Sequence, residues 1–293
     1  MLTSEIIKKV RRIEIRTSRI VQEAVAGRYL SAVKGRGMEF EEVRPYEIGD
    51  DIRTIDWNVS ARAGSPHVKL FREERELTVI LAVDLSGSLG FGSRSQLKRD
   101  LVAEVAATLA FSATRNNDKV GLLLFSDTIE RHVPARKGRR HVLRIIREVL
   151  AHRPVRRGTA IAEAIDELNR IQRRRCVIFL VSDFLDSGWE RPLAIAHSRH
   201  DVIPVRVWDR LEESLPNVGL LEVEDQETGE LLLVDTGSRA VRETFAAQAH
   251  ERTQRFETAL RRLKIEPITL ETGVDPIEPI TAYFRKREAR RSR

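Results

Sequence analysis

Cysteine is almost missing: Cys176 is the single one in 293 residues. One thiol excludes an internal disulfide and fits a reducing compartment. Its place in the apolar run Cys176–Ser182 (CVIFLVS) points to packing rather than reactivity. Aromatic residues make up only 5% of the chain, too few to build extended stacking platforms for single-stranded nucleic acid. No apolar run approaches the roughly 18 residues of a membrane span. The opening MLTSEIIKKVRRIEIRTSRI lacks the uninterrupted apolar stretch of a secretory leader. The expectation is a cytoplasmic protein with no membrane insertion. There is no G-x-x-x-x-G-K-[ST], so the chain is not expected to hydrolyse ATP itself. No glutamate–histidine metal signature accompanies His197 and His200, which read as surface residues. Internal repeats and low-complexity linkers are also absent.

What is present is a hydrophobic content of 41%, enough for a core, and a charged content of 32%, which gives a well-solvated exterior. The net charge is +7. Basic residues cluster at Lys8-Lys9-Val10-Arg11-Arg12, Arg136–Arg140, Arg173–Arg175 and Arg285–Arg293. Such clusters can meet phosphate backbones. They equally suit a solvated surface with cations near helix C-termini, the reading favoured here.

Residues 4–24 carry Ile6, Ile7, Val10, Ile13, Ile20 and Val21 at helical spacing, which predicts an amphipathic helix. Gly35–Arg75 reads as β-hairpins and ordered loops. From Leu77 strands alternate with helices. Strands are expected at 77–83, 119–125, 129–133, 176–181 and 202–207, and helices at 96–113, 139–150, 159–170 and 189–197. That alternation predicts an α/β fold, a mostly parallel sheet covered on both faces. The segment 129–133 follows too short a connection for a crossover helix, so it is expected as an antiparallel edge strand. Two apolar runs flank Glu227-Thr228-Gly229-Glu230 and predict a β-hairpin. A long helix near 239–264, a strand at 267–270, a helix near 277–287 and a disordered tail after Lys286 complete the expectation. The implied organisation is an N-terminal segment 1–76, an α/β domain 77–273 with a hairpin insertion near 219–236, and a C-terminal piece 274–293.

Candidate chemistry begins where the strand 77–83 (LTVILAV) runs into Asp84-Leu85-Ser86-Gly87-Ser88. A carboxylate and two hydroxyls at every second position suit a hard divalent cation, since Mg²⁺ takes octahedral oxygen ligands. The same residues also cap helices and form local turns, so this spacing alone does not decide. Two later features join it: Arg157-Gly158-Thr159-Ala160, opening a helical stretch, and Asp183 at the end of the second apolar strand. Ligands bind in the crevice beyond the carboxyl ends of such strands. With these residues the chain resembles a von Willebrand factor A-type domain and its metal-ion-dependent adhesion site. The resemblance implies Mg²⁺ (or Mn²⁺) held by Asp84, Ser86, Ser88, Thr159 and Asp183, with an acidic side chain of a partner completing the shell. It implies no catalytic residues and no enzyme activity. Ser126 and Asp127 read as a hairpin turn, with a supporting role at the ion as the alternative.

Upstream, 44–62 reads RPYEIGDDIRTIDWNVSAR. The pattern Y-x-x-G-D-D-x-R-x-I-D-W-x-x-S-A-R resembles the hallmark of the bacterial "domain of unknown function 58" family, in its soluble form. That resemblance implies a setting beside a MoxR-type AAA+ ATPase, with this chain as adaptor to a client protein. Asp50, Arg53, Asp56 and Arg62 are expected as a charged network anchored by Trp57. The network is read as fixing loop conformation, with a docking surface as the alternative. Two other functions compete. A Mg²⁺-dependent phosphoester hydrolase would also place carboxylates at a sheet edge, but a haloacid-dehalogenase-like site needs an aspartate where Ser86 stands. A basic nucleic-acid-binding protein rests on the arginine clusters alone.

Overall fold

The structure is a computed structural model that describes residues 8, 10–14, 39–72, 76–93, 96–226 and 228–291. The chain forms two compact units, residues 34–76 and the remainder, with one division at the expected 76/77 boundary.

In the smaller unit, β1 (Glu39–Pro45) pairs antiparallel with β2 (His67–Arg72), Arg44 opposite Val68. Between them lie a 3₁₀ turn at Ile52–Thr54 and helix α1, Trp57–Ala63, where only hairpins and loops were expected. The cause is a pair of helix caps. The Asp56 carboxylate accepts from the amides of Asn58 (3.0 Å) and Val59 (3.2 Å). Gly64, at φ 74°, closes the other end in the left-handed region that glycine tolerates.

The larger unit is built on six strands: β3 (Thr78–Asp84), β4 (Lys119–Phe125), β5 (Ile129–Arg136), β6 (Val177–Ser182), β7 (Asp201–Trp208) and, later in the chain, β10 (Ile268–Glu271). Their order is β10-β7-β6-β3-β4-β5. All neighbours are parallel except β4 and β5, so β5 is the antiparallel edge that its short connection dictates. Hairpin β8–β9 (Leu220–Glu224, Leu231–Asp235) forms where the turn signal placed it.

Alternation along the central strands feeds two cores. Val79, Leu81 and Val83 face one, shared with Val177, Phe179 and Val181; Ile80 and Ala82 face the other, with Ile178 and Leu180. A strand buried on both faces must be apolar throughout, hence runs such as VILAV. Helices α2 (Lys98–Arg115) and α3 (Arg139–Ala151) cover the first face. Helices α4 (Ile161–Ile171) and α5 (Glu190–Arg199), with part of α6 (Arg239–Leu263), cover the second. Among the described residues no helix is long and apolar enough to cross a membrane.

Both chain ends pack with this unit. Residues 8 and 10–14 are helical and Ile13 reaches the first core; the rest of the helix expected at 4–24 lies outside the described residues. Helix α7 runs Ile277–Arg291, past the point where a disordered tail was expected. It is held because Ile280 and Phe284, four apart, are fully buried, while Arg287 pairs with Asp201 and both Lys286 and Arg290 reach Glu266. The tail's arginines therefore do structural work. Phe284 meets Phe179 edge-on at 6.4 Å between ring centroids. Phe284→Ala is expected to cost about 3–5 kcal/mol in equilibrium denaturation, the usual range for a buried aromatic truncated to alanine.

Candidate metal centre

The sheet order places its own crevice. From β3 the chain crosses to β4 on one side, and from β6 it crosses to β7 on the other. The switch point lies between β3 and β6, where open α/β sheets bind ligands. Val83 pairs with Val181, so the next residues along, Asp84 and Ser182, emerge side by side. The Ser182 hydroxyl donates to Asp84 Oδ2 at 2.6 Å, and Asp183 follows immediately.

Asp84 is fully buried and its Oδ1 accepts from the Ser86 amide at 2.7 Å. Ser86 and Ser88 share a hydrogen bond between their hydroxyls at 3.0 Å. Loop 157–160 is tied by backbone to this turn, where the Gly87 amide donates to Arg157 O at 2.7 Å, and to the turn after β4, where the Ala160 amide donates to Ser126 O at 2.9 Å. Arg157 is thereby joined to the serine turn, and Thr159, half-buried, follows two residues later in the same loop. Burial, then the neighbouring charge of Asp183, push the Asp84 carboxyl up to about 7 against the hydrogen bonds from Ser182 and Ser86. A cation would relieve that arrangement. Hydroxyls and carboxylates match the hard oxygen ligands Mg²⁺ prefers, so the donor set fits. Among the described residues no cluster of three or more His, Cys, Asp or Glu could hold a metal, so an ion here depends on the hydroxyls.

Several residues around the site were not singled out in the sequence. Ser182 was hidden as the last residue of an apolar strand. Lys98 looked like one more solvated helix cation, yet it is fully buried, with Nζ 3.0 Å from Asp183 Oδ2 and a second contact to Glu212. Its ammonium stays charged because Asp183 and Glu212 outweigh the burial that opposes it. Glu212 closes a capping box with Asp209, accepting from the Asp209 amide at 2.9 Å. Asp209, also buried, accepts from the Ser93 amide at 2.9 Å and from the Thr272 hydroxyl. None of these carries a local signal, since each partner lies more than 50 residues away except within the 209–212 turn.

Hairpin β8–β9 roofs the serine turn. A Cβ added to Gly87 would stand 2.0 Å from the backbone oxygen of Gln226, and Arg157 pairs with Glu224 at 3.5 Å. Beside this contact a cavity of about 1040 Å³ opens from Ser88 between hairpin and α6, lined by Phe91, Leu185, Leu221, Val234 and Phe245. Ser126 and Asp127 make the turn into β5, as read: the Ser126 amide donates to Thr128 O and its hydroxyl to Glu130 at 2.7 Å.

Comparison with known families gives a match to the model "Protein of unknown function DUF58" over residues 42–255, well over half of the chain. The chain belongs to that family. Uncharacterized proteins of Mycobacterium bovis and Mycobacterium tuberculosis are 32% identical to it over 281 residues, covering 95% of this chain and 88% of theirs. Similar solved structures include the conserved hypothetical protein BatB from Bacteroides thetaiotaomicron (TM-score 0.46, 16% identity, 73% of this chain and 99% of that one). The SpRpn10 VWA domain is another (TM-score 0.38, 14% identity, 71% and 94%). The doubly wound sheet described above is thus the fold of a DUF58 protein.

In this DUF58 chain the 44–62 signature is only partly the expected network. Asp50 takes a two-pronged contact from Arg44, at 2.7 and 2.8 Å, and the Glu47 amide at 2.9 Å. Asp56 caps α1 and pairs with Lys69 at 3.2 Å. Arg53 and Arg62 form no ion pair among the described residues. Trp57 does not anchor the network: it stands 71% exposed, because Asp56 starts the helix with the indole on its outer side, and Ile48 and Ile52 are exposed too. The acids thus fix the loop through caps and Arg44, while Ile48, Ile52 and Trp57 of the signature face outward.

Asp84→Asn removes one of two adjacent charges and keeps one acceptor oxygen, its amide nitrogen donating to the Ser182 hydroxyl where the carboxylate accepted from it. In EDTA its midpoint temperature is expected to rise by about 2–4 °C, the equivalent of about 1 kcal/mol for a unit of this size. An upward shift with Mg²⁺ is expected for the unsubstituted protein and none for the variant. Gly87→Ala is expected to destabilise by about 1–3 kcal/mol, an overpacking cost, by driving the hairpin tip off the serine turn. Thermal denaturation measures the first effect and chemical denaturation the second.

Proposed function

We propose that this protein is a metal-ion-dependent interaction adaptor, binding Mg²⁺ (or Mn²⁺) through Asp84, Ser86, Ser88, Thr159 and Asp183. The observation that carries the reading is the pair of buried carboxylates at the switch point, Asp84 held by the Ser182 hydroxyl and the Ser86 amide, with the Ser86 and Ser88 hydroxyls bonded to each other on the same turn. A bound dication would supply open octahedral positions for an acidic side chain of a partner. The protein's own part is to hold the carboxylates together, to orient the hydroxyls, and to keep bulk water off Asp84 by burial. Bridging is favoured over phosphoester hydrolysis because Ser86 occupies the position where a second aspartate would be required. The family resemblance gives the setting, a MoxR-type AAA+ ATPase acting on a client. Two surfaces support capture of a protein: the cavity beside Ser88 and the outward Ile48, Ile52 and Trp57. Tryptophan is among the residues enriched where protein partners bind.

Titration calorimetry with Mg²⁺ and Mn²⁺ tests the site: alanine at both Asp84 and Ser86 should abolish ion binding, and unchanged affinity would refute the assignment. Pull-down with a MoxR-type ATPase, with and without Mg²⁺, tests the partner; capture that ignores both the ion and the double variant would count against it. Trp57→Ala should alter stability by no more than about 0.5 kcal/mol, as exposed substitutions do. It should nonetheless weaken capture if the signature is a docking surface.

A further inference from the structure

We infer that Lys98 is a built-in competitor of the metal ion for Asp183, setting the ion affinity of the centre low until a partner's carboxylate arrives. The inference rests on the ion-binding reading above and deepens it. Lys98 begins helix α2 with its side chain wholly buried, and its Nζ lies 3.0 Å from Asp183 Oδ2. The other oxygen, Oδ1, faces the Leu185 amide at 3.3 Å. Both oxygens of Asp183 are therefore engaged without an ion. A dication approaching this carboxylate must share it with the ammonium or dislodge the ammonium, and the two positive charges repel across a medium that water screens poorly. Among the described residues Asp84 has no such cation on it: its contacts are hydroxyl and amide donors. One carboxylate of the centre is neutralised internally and the other is not.

Glu212 keeps Lys98 in place. Its Oε1 meets the ammonium while its Oε2 is held by the Asp209 amide, so the lysine is clamped between the centre and the turn leading to hairpin β8–β9. A buried cation with two carboxylates does not wander, and its retention is what distinguishes it from a surface lysine that an ion would simply displace. With Lys98 present, an ion adds positive charge to a site already part-neutralised. An incoming acidic side chain then restores the balance, which makes ion and partner bind together more tightly than either alone. Lys98 is thus a positioning residue: it acts on the ion through Asp183.

The test is titration calorimetry of the full chain with Mg²⁺ and Mn²⁺, comparing the unsubstituted protein, Lys98→Met, Lys98→Arg and the double variant Lys98→Met/Glu212→Gln. The double variant leaves net charge unchanged, retains the acceptor for the Asp209 amide and keeps the aliphatic packing, so it guards against a single variant that fails to fold; circular dichroism verifies that it does. Tenfold or tighter ion binding by the double variant, with Lys98→Arg close to the unsubstituted protein, is the expected result. Affinity within twofold of the unsubstituted protein, or weaker, overturns the competition while leaving the ion site standing. Absence of ion binding in all four chains overturns the ion site and the competition together.

Discussion

Parallel pairing of β3 with β6 in the middle of the sheet is the constraint on which the rest depends. It carries Asp84 and Ser182 to the same height, one strand apart, and delivers Asp183 one step later. Strands buried on both faces bring backbone to the rim but leave nothing polar there except what the last residues supply. At that rim the chain spends a carboxylate on each of two neighbouring strands, which burial alone would disfavour. Ser182, Ser86 and the Ser86 amide partly satisfy Asp84, and Lys98 satisfies Asp183. The asymmetry between hydroxyl donors on one acid and a full cation on the other defines the centre's electrostatics.

That asymmetry reaches outward through covalent neighbours rather than through long chains of contacts. Lys98 opens α2, and its own amide donates to Phe91 O at the end of the serine loop. Asp209 gathers the Ser93 amide, the Thr272 hydroxyl and the Leu211 amide, joining the loop after β3 to the loops after β7 and β10. Burial works against the Asp209 charge, and these donors outweigh it, holding the carboxyl below its ordinary range. The loops at the carboxyl edge are thus cross-braced by buried charges, each with partners on two or more segments.

How much of this was legible in the sequence depends on whether the signal is local. Period-two and period-3.6 patterns are local, so the α/β class, an edge strand at 129–133 (observed to run on to Arg136), the hairpin and the long helix followed from them. The Asp84 turn and Asp183 were also visible, because oxygen donors directly after an apolar strand are a short-range pattern. Helix α1 had local signals as well, the capping Asp56 and the closing Gly64, but seven residues with a charged neighbourhood read more easily as loop. Lys98, Glu212 and Asp209 were illegible for a different reason. Their meaning comes from partners 85, 114 and 116 positions away along the chain, at Asp183, Lys98 and Ser93. The basic end of α7 was misread in the same manner, since Arg287 and Lys286 are ordered by Asp201 and Glu266 on other elements.

Hairpin β8–β9 shows how a separate small sheet becomes part of the centre. Its strands pair only with each other among the described residues, and on their outer side Leu220, Leu231 and Leu233 are exposed. A two-stranded ribbon of this kind is marginal without something to rest on. Its tip rests on the serine turn, with Gln226 O against Gly87 and Glu224 paired to Arg157 of the neighbouring loop. Gly87 is required there for space: at 2.0 Å a β-carbon and a carbonyl oxygen cannot coexist, and the obstacle is backbone rather than a side chain that can swing away. The glycine between Ser86 and Ser88 therefore serves the roof, while the serines serve the site below it. Anything that binds beside Ser88 shares its walls with the hairpin, so the size of the opening is fixed by where a ribbon outside the main sheet comes to rest.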